Sequence, residues 1–418
     1  VKSFLNNDII MKYLIYIFYF FCLFPYVQIL PFNTDSQPNA LIVAIILFCS
    51  QKSGGKINKS LFLLLLTFLG ALIILFINYP IKLQSIRLFG GYISLFLIPY
   101  VAYTSLKSTG GIPYLFFVFA VSFWLLVGSV QLLIDASFLQ FILYREQSIS
   151  DLIESGRGVT SLAPEPTFYG IICVFLAIIN QLCFRNEKYY KWILLACLFQ
   201  IFVISRSSAC IFVITISLVA YIVYQVFCSN THRDRYILLL MGIIGCIVVF
   251  FAIDLSLLAP YRIGKLLIIL QRDPMLFLAT DASVNERFNH AFFSLYGFLR
   301  NWGIPHGFDA FAQNVSDIRS SGMFHNLFIS YFNIERYHRI MSGIGALFFE
   351  LGVIAFLPLY VIMKNFYTLQ YKNPSSMFCL FLYLSVMLNA VPFMTALAPF
   401  IIGIVIYLND ELTSRTIL

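Results

Sequence analysis

Apolar runs of membrane length recur along the whole chain, and they restrict its fold more than any other feature of the sequence. A transmembrane helix needs roughly 20 predominantly apolar residues. Such runs lie near residues 9–30, 38–50, 60–79, 88–106, 112–134, 166–184, 190–205, 208–228, 236–258, 343–363, 375–391 and 393–408, of which the second, seventh and last are short. Only 11% of the residues are charged, against roughly 25% in soluble domains. The sequence therefore predicts an all-α polytopic membrane protein with about 12 transmembrane helices.

The first run has no small-residue cleavage site after it, so we do not interpret it as a cleaved signal peptide. The chain begins with valine, which leaves a non-standard start, a processed chain and a start at Met11 as open alternatives.

The sequence argues against sites for ATP, zinc or a nucleotide-sugar donor. The nine cysteines all lie within or at the ends of apolar runs and none forms a C-x-x-C pair, so we interpret them as small buried apolar residues. The chain has no nucleotide-binding glycine loop, no H-E-x-x-H sequence and no D-x-D pair. We expect no metal, no nucleotide-sugar donor, no other cofactor and no nucleic-acid partner.

One long polar interval, from Ala259 to Ser342, interrupts the apolar runs. It holds eight basic residues, of which seven are arginine, and four of the five histidines. We divide the chain into residues 1–258 with transmembrane helices 1–9, a loop at 259–342 with amphipathic helices, and residues 343–418 with transmembrane helices 10–12. All three are predicted to form a single integrated membrane domain. A loop of this length in a compact protein is usually functional or disordered, and its aromatic residues and helical patterning favour a functional loop.

The distribution of basic residues predicts which side each loop faces. Short loops rich in lysine and arginine, such as 51–59 and 185–191, are expected in the cytoplasm. Both termini then lie in the cytoplasm and the long loop faces the periplasm. Ten of the 14 cytoplasmic basic residues are lysine, whereas 11 of the 13 others are arginine. Arginine suits bidentate binding of phosphate, so the external set indicates an anionic ligand; the alternative is pairing with external acids or lipid phosphates.

Two short motifs near the ends of membrane helices hold candidate site residues. In the run Glu165-Pro166-Thr167-Phe168-Tyr169-Gly170, Pro166 suits the first residue of the sixth span. Glu165 is then either a charge that stabilises the helix N-terminus or a carboxylate that faces a ligand, a few residues from Arg157. In the tight turn Ser205-Arg206-Ser207-Ser208, Arg206 either snorkels to lipid headgroups or holds a phosphate at their depth.

The long loop itself is predicted to contain two helices. Ser283 and Glu286 form a capping box, which predicts a helix that runs to about Arg300. Its helical spacing places Arg287, His290, Ser294 and Gly297 on one face, apart from an apolar face that can pack on the spans or on lipid. The alternative for the polar face is simple solvation. A second helix, from Gly322 to Tyr337, carries His325 and Asn326.

The tenth span begins with Gly343-Ile344-Gly345 and carries Glu350 about two helical turns further on. A carboxylate at that depth needs a partner, and an external arginine is the expected one.

These stretches, in this order, resemble the O-antigen polymerase (Wzy) and O-antigen ligase group of bacterial inner-membrane glycosyltransferases. The similarity is carried by the run 165–170, the turn 205–208, the glycines Gly303 and Gly307, the pair His325-Asn326, and the sequence from Ser342 to Gly352. It covers residues 157–363, about half of the chain. The resemblance implies a GT-C-like membrane fold, a periplasmic active site, and no metal or nucleotide.

The resemblance also implies the substrates. Donor and acceptor are expected to be oligosaccharides linked to undecaprenyl pyrophosphate in the lipid bilayer, and a chain-length regulator is an expected partner. The similarity favours the polymerase, which extends the O-antigen of lipopolysaccharide, over the ligase, which transfers the glycan to lipid A core. Transport by a lipid-linked oligosaccharide flippase is a weaker alternative, because most charges lie outside the spans. A purely structural role is the other alternative, and it makes the order of the motifs a coincidence.

We assign roles to the candidate residues on this basis. Arg157, Arg206 and Arg287 are expected to stabilise the negative charge that builds on the pyrophosphate leaving group. His290 and Glu350 are further predicted substrate contacts. Either His325 or Glu165 is the catalytic base; the ligase resemblance favours His325, with Glu165 orienting an arginine or the acceptor.

Overall fold

The computed structural model describes residues 2–29, 34, 36–50, 58–78, 80–144, 158–228, 233–253, 262–274, 276, 278, 282–324, 327, 338–389 and 391–416. In this part of the chain the regular elements are helices, and one isolated β-bridge joins Val27 to Leu143. The predicted all-helical class is therefore confirmed.

The helices of the first half follow the apolar runs. They are α1 (Lys2–Leu23), α2 (Asn39–Ser50), α3 (Lys59–Ile77), α4 (Leu83–Thr109), α5 (Tyr114–Leu133), α6 (Pro166–Cys183), α7 (Tyr190–Phe199), α8 (Ser208–Cys228) and α9 (Arg233–Ala252). A single turn of 3-10 helix covers Gln140–Ile142, and α7 continues as a π-helix over Gln200–Ile204.

The second half contains the helices of the long loop and the last membrane helices. They are α10 (Arg262–Arg272), α11 (Ala282–Arg300), α12 (Phe311–Ser320), α13 (Gly343–Leu351), α14 (Phe356–Leu369), α15 (Ser376–Asn389) and α16 (Leu397–Thr416). A 3-10 turn at Gly352–Ala355 joins α13 to α14.

Seven of the described helices are long and apolar enough to cross a membrane. They are Lys59–Ile77, Leu83–Thr109, Tyr114–Leu133, Pro166–Cys183, Ser208–Cys228, Arg233–Ala252 and Gly343–Leu369. Shorter apolar helices cover Ile9–Leu23, Asn39–Ser50, Tyr190–Ile204 and Ser376–Asn389. The chain is thus a helical membrane protein, and the number of twelve spans stays a prediction.

α1 ends earlier than the first apolar run. The run continues to residue 30, but Pro25 disfavours helical geometry at the residue before it, and α1 stops at Leu23. The Leu23 carbonyl accepts a hydrogen bond from Nε1 of Trp124, halfway along α5, at 3.1 Å. α1 therefore ends inside the helix bundle and not at its edge.

Alternate connections between the membrane helices meet at one end of the bundle, which we call the site end. Contacts among them join the Gln28 amide to the Ile142 carbonyl (2.8 Å), the Val159 amide to the Ile204 carbonyl (3.1 Å), the hydroxyls of Ser36 and Thr395 (3.2 Å), and Lys82 to Asp309 (3.4 Å). At the opposite end, Lys107 pairs with Asp410 at 3.1 Å. This arrangement agrees with helices that alternate in direction.

A second, smaller hydrophobic cluster joins the long loop to Phe349 of α13. Phe293 of α11 packs there with Phe311, Val315 and Ile318 of α12. The sequence did not predict α12. The helix predicted from Gly322 to Tyr337 falls largely outside the described residues.

Candidate functional site

The run 165–170 and the turn 205–208 pack against each other at the site end. The Val159 amide donates to the Ile204 carbonyl at 3.1 Å, and a β-carbon on Gly158 would overlap the backbone of Ser205. One turn into α6, a β-carbon on Gly170 would lie 3.1 Å from Oγ of Ser205 and 3.1 Å from Cβ of Ser207. Glycines at these two positions therefore bring the two motifs into contact.

Buried amide side chains hold the segment before α6 in place. Oε1 of Gln131 accepts from the Ser161 amide at 2.7 Å, and Nε2 of Gln131 donates to the Ser161 carbonyl at 3.0 Å. Ser161 has a φ of 49°, a left-handed conformation that non-glycine residues seldom adopt. Deeper in the bundle, the Tyr169 hydroxyl donates to Oε1 of Gln200 at 2.8 Å, at the start of the π-helix. π-helical turns are frequent at functional sites.

We did not single out Gln131 or Gln200 from the sequence. A polar residue inside a membrane helix is a candidate functional or structural residue by default. The position of each glutamine within an apolar run, 112–134 for Gln131 and 190–205 for Gln200, is the sequence signal that could have identified both residues.

Glu165 pairs with Arg287, which joins the long loop to the membrane helices. Glu165 is the N-cap residue of α6 and Pro166 is the first helical residue, as predicted, but the carboxylate makes no cap hydrogen bond. Its Oε2 lies 4.0 Å from a terminal guanidinium nitrogen of Arg287, with the two side chains 29% and 15% exposed. A partly buried pair of this kind holds Arg287 next to the N-terminus of α6.

The polar face of α11 packs against the protein and is not exposed to solvent. The helix spans Ala282–Arg300, close to the predicted bounds. Of its polar face, His290 and Ser294 are buried. Gly297 lies directly against α13, since a β-carbon on it would be 2.8 Å from the Phe349 ring. The polar stripe thus faces the protein, and the hypothesis that it is merely solvated is wrong.

His290 is neutral in this environment. Burial, and to a smaller extent the charge of Arg339, lower the pKa of His290 to about 3. The Met341 amide donates to Nδ1 of His290 at 3.3 Å, and the ring stacks on Phe311 with centroids 5.3 Å apart. A neutral buried ring supplies no positive charge to an anionic ligand. Its contacts instead hold residue 341, just before α13, against α11.

We predict that His290 makes the stability of the protein depend on pH. The unfolded chain protonates this histidine near pH 6.5, whereas the folded chain keeps it neutral down to about pH 3. The free energy of unfolding should therefore be highest above pH 6.5 and should fall as the pH drops toward 3, by up to ~1.4 kcal/mol per pH unit. Thermal unfolding of the purified protein between pH 4 and pH 7 measures the slope. His290→Asn should flatten the slope and the exposed His338→Asn should not; equal slopes in both variants contradict the prediction.

α13 begins against α11. Ser342 caps the helix by accepting from the Gly345 amide at 2.9 Å, and a β-carbon on Gly345 would overlap Oγ of Ser294. The small residues of the S-G-I-G sequence therefore allow the close approach of the two helices.

Glu350 has a partner other than the expected arginine. It is 5% exposed, and its Oε2 accepts from the Tyr92 hydroxyl of α4 at 2.5 Å. Tyr92 is uncharged, so the contact is a hydrogen bond between α4 and α13 and not the ion pair with an arginine that we expected.

The glycine-rich turn after α11 docks on the end of α13 and on the 3-10 turn that follows it. The Val353 amide donates to the Gly303 carbonyl at 3.0 Å, and the His306 amide donates to the Phe349 carbonyl at 3.0 Å. The His306 ring stacks on Phe349 with centroids 4.3 Å apart. Two motifs that lie about 50 residues apart in the sequence thus form one packed unit.

Arg206 is exposed at the site end. Its φ is 46°, and its Nε donates to the Val203 carbonyl at 3.3 Å. Strained backbone of this kind clusters at functional sites. Arg157 and His325 lie outside the residues that the structure describes. Of the predicted site residues, the structure therefore brings together Glu165 and Arg287 and places the Arg206 turn against the Glu165 motif. His290 holds the segment before α13, and Glu350 joins α13 to α4.

Within the described ranges, no group of three or more histidine, cysteine, aspartate or glutamate side chains is placed to hold a metal ion. No family model matches the chain, and comparison with curated proteins also finds no match.

Proposed function

We propose that the chain is an O-antigen polymerase, a glycosyltransferase of the bacterial inner membrane with a GT-C-like fold and twelve spans. In this proposal the site end faces the periplasm and both termini lie in the cytoplasm. Donor and acceptor are oligosaccharides on undecaprenyl pyrophosphate. A chain-length regulator is the proposed protein partner.

One observation carries the proposal. The motifs that resemble the polymerase and ligase group are spread over about half of the chain, yet their described parts pack on one another at the site end. The Glu165 motif contacts the Arg206 turn, Glu165 pairs with Arg287, and α11 packs on the S-G-I-G start of α13. Arg206 and Arg287 at this meeting point support the binding of an anionic substrate.

The proposed reaction is the displacement of a lipid pyrophosphate by a sugar hydroxyl. The acceptor oxygen forms a bond to the anomeric carbon, and the bond from that carbon to the pyrophosphate oxygen breaks. The leaving group keeps the electron pair, and arginines stabilise its charge. The hydroxyl proton passes to a base, for which the family resemblance favours His325. The position of Glu165 beside Arg287 supports an orienting role for this carboxylate.

Purified protein and purified lipid-linked repeat units test the proposal. Formation of polymer on undecaprenyl pyrophosphate is the expected result. Transfer to added lipid A core identifies a ligase, the second candidate, which shares the His325-Asn326 pair. Movement of the lipid-linked unit across vesicles without any glycosidic bond formation identifies a flippase and overturns the proposal.

Arg206→Ala should reduce polymer formation by about 10²-fold at equal protein level, since removal of one donor to a developing negative charge costs about 10²–10³ in rate. The length distribution of O-antigen in cells and the initial rate with purified lipid-linked units both measure it. Arg319→Ala, at an exposed arginine of α12, is the matched control and should retain activity. An unchanged rate in Arg206→Ala removes this residue from the site.

A further inference from the structure

Exposed apolar side chains crowd the turn at the end of α11. Leu299 is 69% exposed, Trp302 92% and Ile304 61%. We call residues 299–304 the α11 tip. Large apolar side chains that are this exposed in a group mark an interaction surface. The tip therefore needs a partner, and its depth relative to the membrane helices indicates which one.

α11 descends alongside α13. Ser294 contacts Gly345, Gly297 contacts Phe349, and the Gly303 carbonyl accepts from the Val353 amide at 3.0 Å. The contacts advance in the same direction along both helices. Since α13 begins a membrane span, the second half of α11 runs into the bilayer beside it.

α3 gives a first measure of the depth that the tip reaches. Ile354, next to the tip contact at Val353, touches Gly70 of α3, where a β-carbon would lie 2.9 Å from its Cδ1. Gly70 precedes the α3 C-cap residue Asn78 by ~12 Å along the helix axis. α3 has 19 residues, or ~28 Å, which matches the roughly 30 Å of membrane hydrocarbon. The tip thus lies ~12 Å below the membrane edge at the site end.

α14 gives a second measure from the opposite side. The exposed Lys364 marks the opposite membrane edge. Val353 lies ~16 Å before it along the span, which leaves ~14 Å to the edge at the site end for a hydrocarbon thickness of roughly 30 Å. The two measures agree.

The exposed surface of the tip also continues an exposed apolar stripe on the span below it. The stripe consists of Val353, Phe356, Tyr360 and Met363, each more than half exposed. Such a stripe on a membrane helix faces lipid.

We propose that α11 is a re-entrant helix whose tip, Leu299, Trp302 and Ile304, inserts into the leaflet at the site end and contacts lipid acyl chains. The proposal explains why the polar stripe of α11 is buried while its apolar end is exposed. Arg300, also exposed, lies about one helical turn above Gly303, and its long side chain is expected to snorkel to the headgroups. The proposal is independent of the chemistry proposed for the site.

Tryptophan fluorescence tests the insertion. The chain has three tryptophans, of which Trp124 is fully buried and hydrogen-bonded and is kept. Two variants are reconstituted into phosphatidylcholine vesicles: the single variant Trp192→Phe and the double variant Trp192→Phe/Trp302→Phe. The difference between their fluorescence spectra is the emission of Trp302. Because Trp302 makes so little contact with the protein, its replacement should leave the fold intact.

Phospholipids that are brominated on the acyl chain should remove most of the Trp302 emission, and acrylamide in the water should remove little. Quenching by acrylamide without quenching by bromine places the tip in water and overturns the proposal. Quenching by neither agent places it against protein and overturns it as well. The signal that remains from Trp124 should respond to neither and is the internal control.

Discussion

Arg287→Ala is expected to reduce polymer formation by about 10²–10³-fold, the cost of removing one preorganised group from a developing negative charge. We rank this effect above that of Arg206→Ala because Arg287 is mostly buried and held by Glu165, whereas Arg206 is exposed. A charge in a partly dehydrated position interacts more strongly with a ligand than one in water. The rate of polymer formation from purified lipid-linked units is the measurement.

The depth of Arg287 supports this assignment. Ser294 contacts Gly345 near the start of α13, and Arg287 lies ~10 Å further from the bilayer along α11. If the α11 tip is inserted as proposed, the backbone of Arg287 lies ~10 Å outside the hydrocarbon edge, just beyond the headgroup layer. Its long side chain can reach back to that layer, where the pyrophosphate of a membrane lipid lies.

Substitution of both members of the ion pair separates catalysis from folding. Glu165→Gln, Arg287→Ala and the double variant form a cycle in which the coupling of the pair is read directly. If Arg287 acts on the leaving group and Glu165 only orients it, Glu165→Gln should lose less activity than Arg287→Ala, and the double variant should be no worse than Arg287→Ala. Arg287→Lys keeps the charge but not the bidentate geometry and should recover only part of the activity.

Equal thermal stability of the variants is the control. If Arg287→Ala unfolds at a lower temperature and its folded fraction forms polymer at the normal rate, Arg287 has only a structural role. If Glu165→Gln alone abolishes activity, Glu165 has a direct chemical role, and the orienting role assigned to it is wrong.

Local sequence patterns predicted the extent of α11 but not its orientation. The capping box and Gly303 gave bounds close to Ala282–Arg300. Helical spacing sorts residues into faces, but it does not say which face meets the protein. In water a polar stripe faces outward, whereas beside a membrane helix the small residues Ser294 and Gly297 permit close packing and the stripe turns toward the protein. The inward orientation of the polar stripe is therefore set by the membrane surroundings of α11 and not by the sequence of the helix alone.

Partners distant in the sequence could not be predicted. Glu350 bonds Tyr92, which lies in the first part of the chain, where we had identified only apolar spans. The helix periodicity of α4 does not reveal that one of its tyrosines meets α13. Similarly, α1 ends at Leu23, and Trp124 meets its last carbonyl because of how the helices assemble. Such contacts require the three-dimensional packing.

Gly352→Ala should destabilise the protein by ~3 kcal/mol, because two costs add at one position. Gly352 has φ 58° and ψ −132°, a combination found at the first central position of type II′ turns and dominated by glycine; holding an alanine there costs about 1–3 kcal/mol. Its β-carbon would also overlap the Gly303 carbonyl and lie 2.8 Å from the Pro305 nitrogen. Overpacking of this kind costs about 1–3 kcal/mol. Unfolding of the purified protein by SDS in mixed micelles measures the loss.

Gly110→Ala is the matched control, because Gly110 also has a positive φ, 70°, but has nothing within 4 Å of a β-carbon. Its ψ of 26° places it in the ordinary left-handed region at the end of α4, so alanine should cost only ~1 kcal/mol there. The difference between the unfolding free energies of Gly352→Ala and Gly110→Ala measures how tightly the turn after α11 docks on the span. A cost in Gly352→Ala no larger than in Gly110→Ala would mean that the turn yields freely. In that case neither the fixed depth of the α11 tip nor the height of Arg287 derived from it would hold.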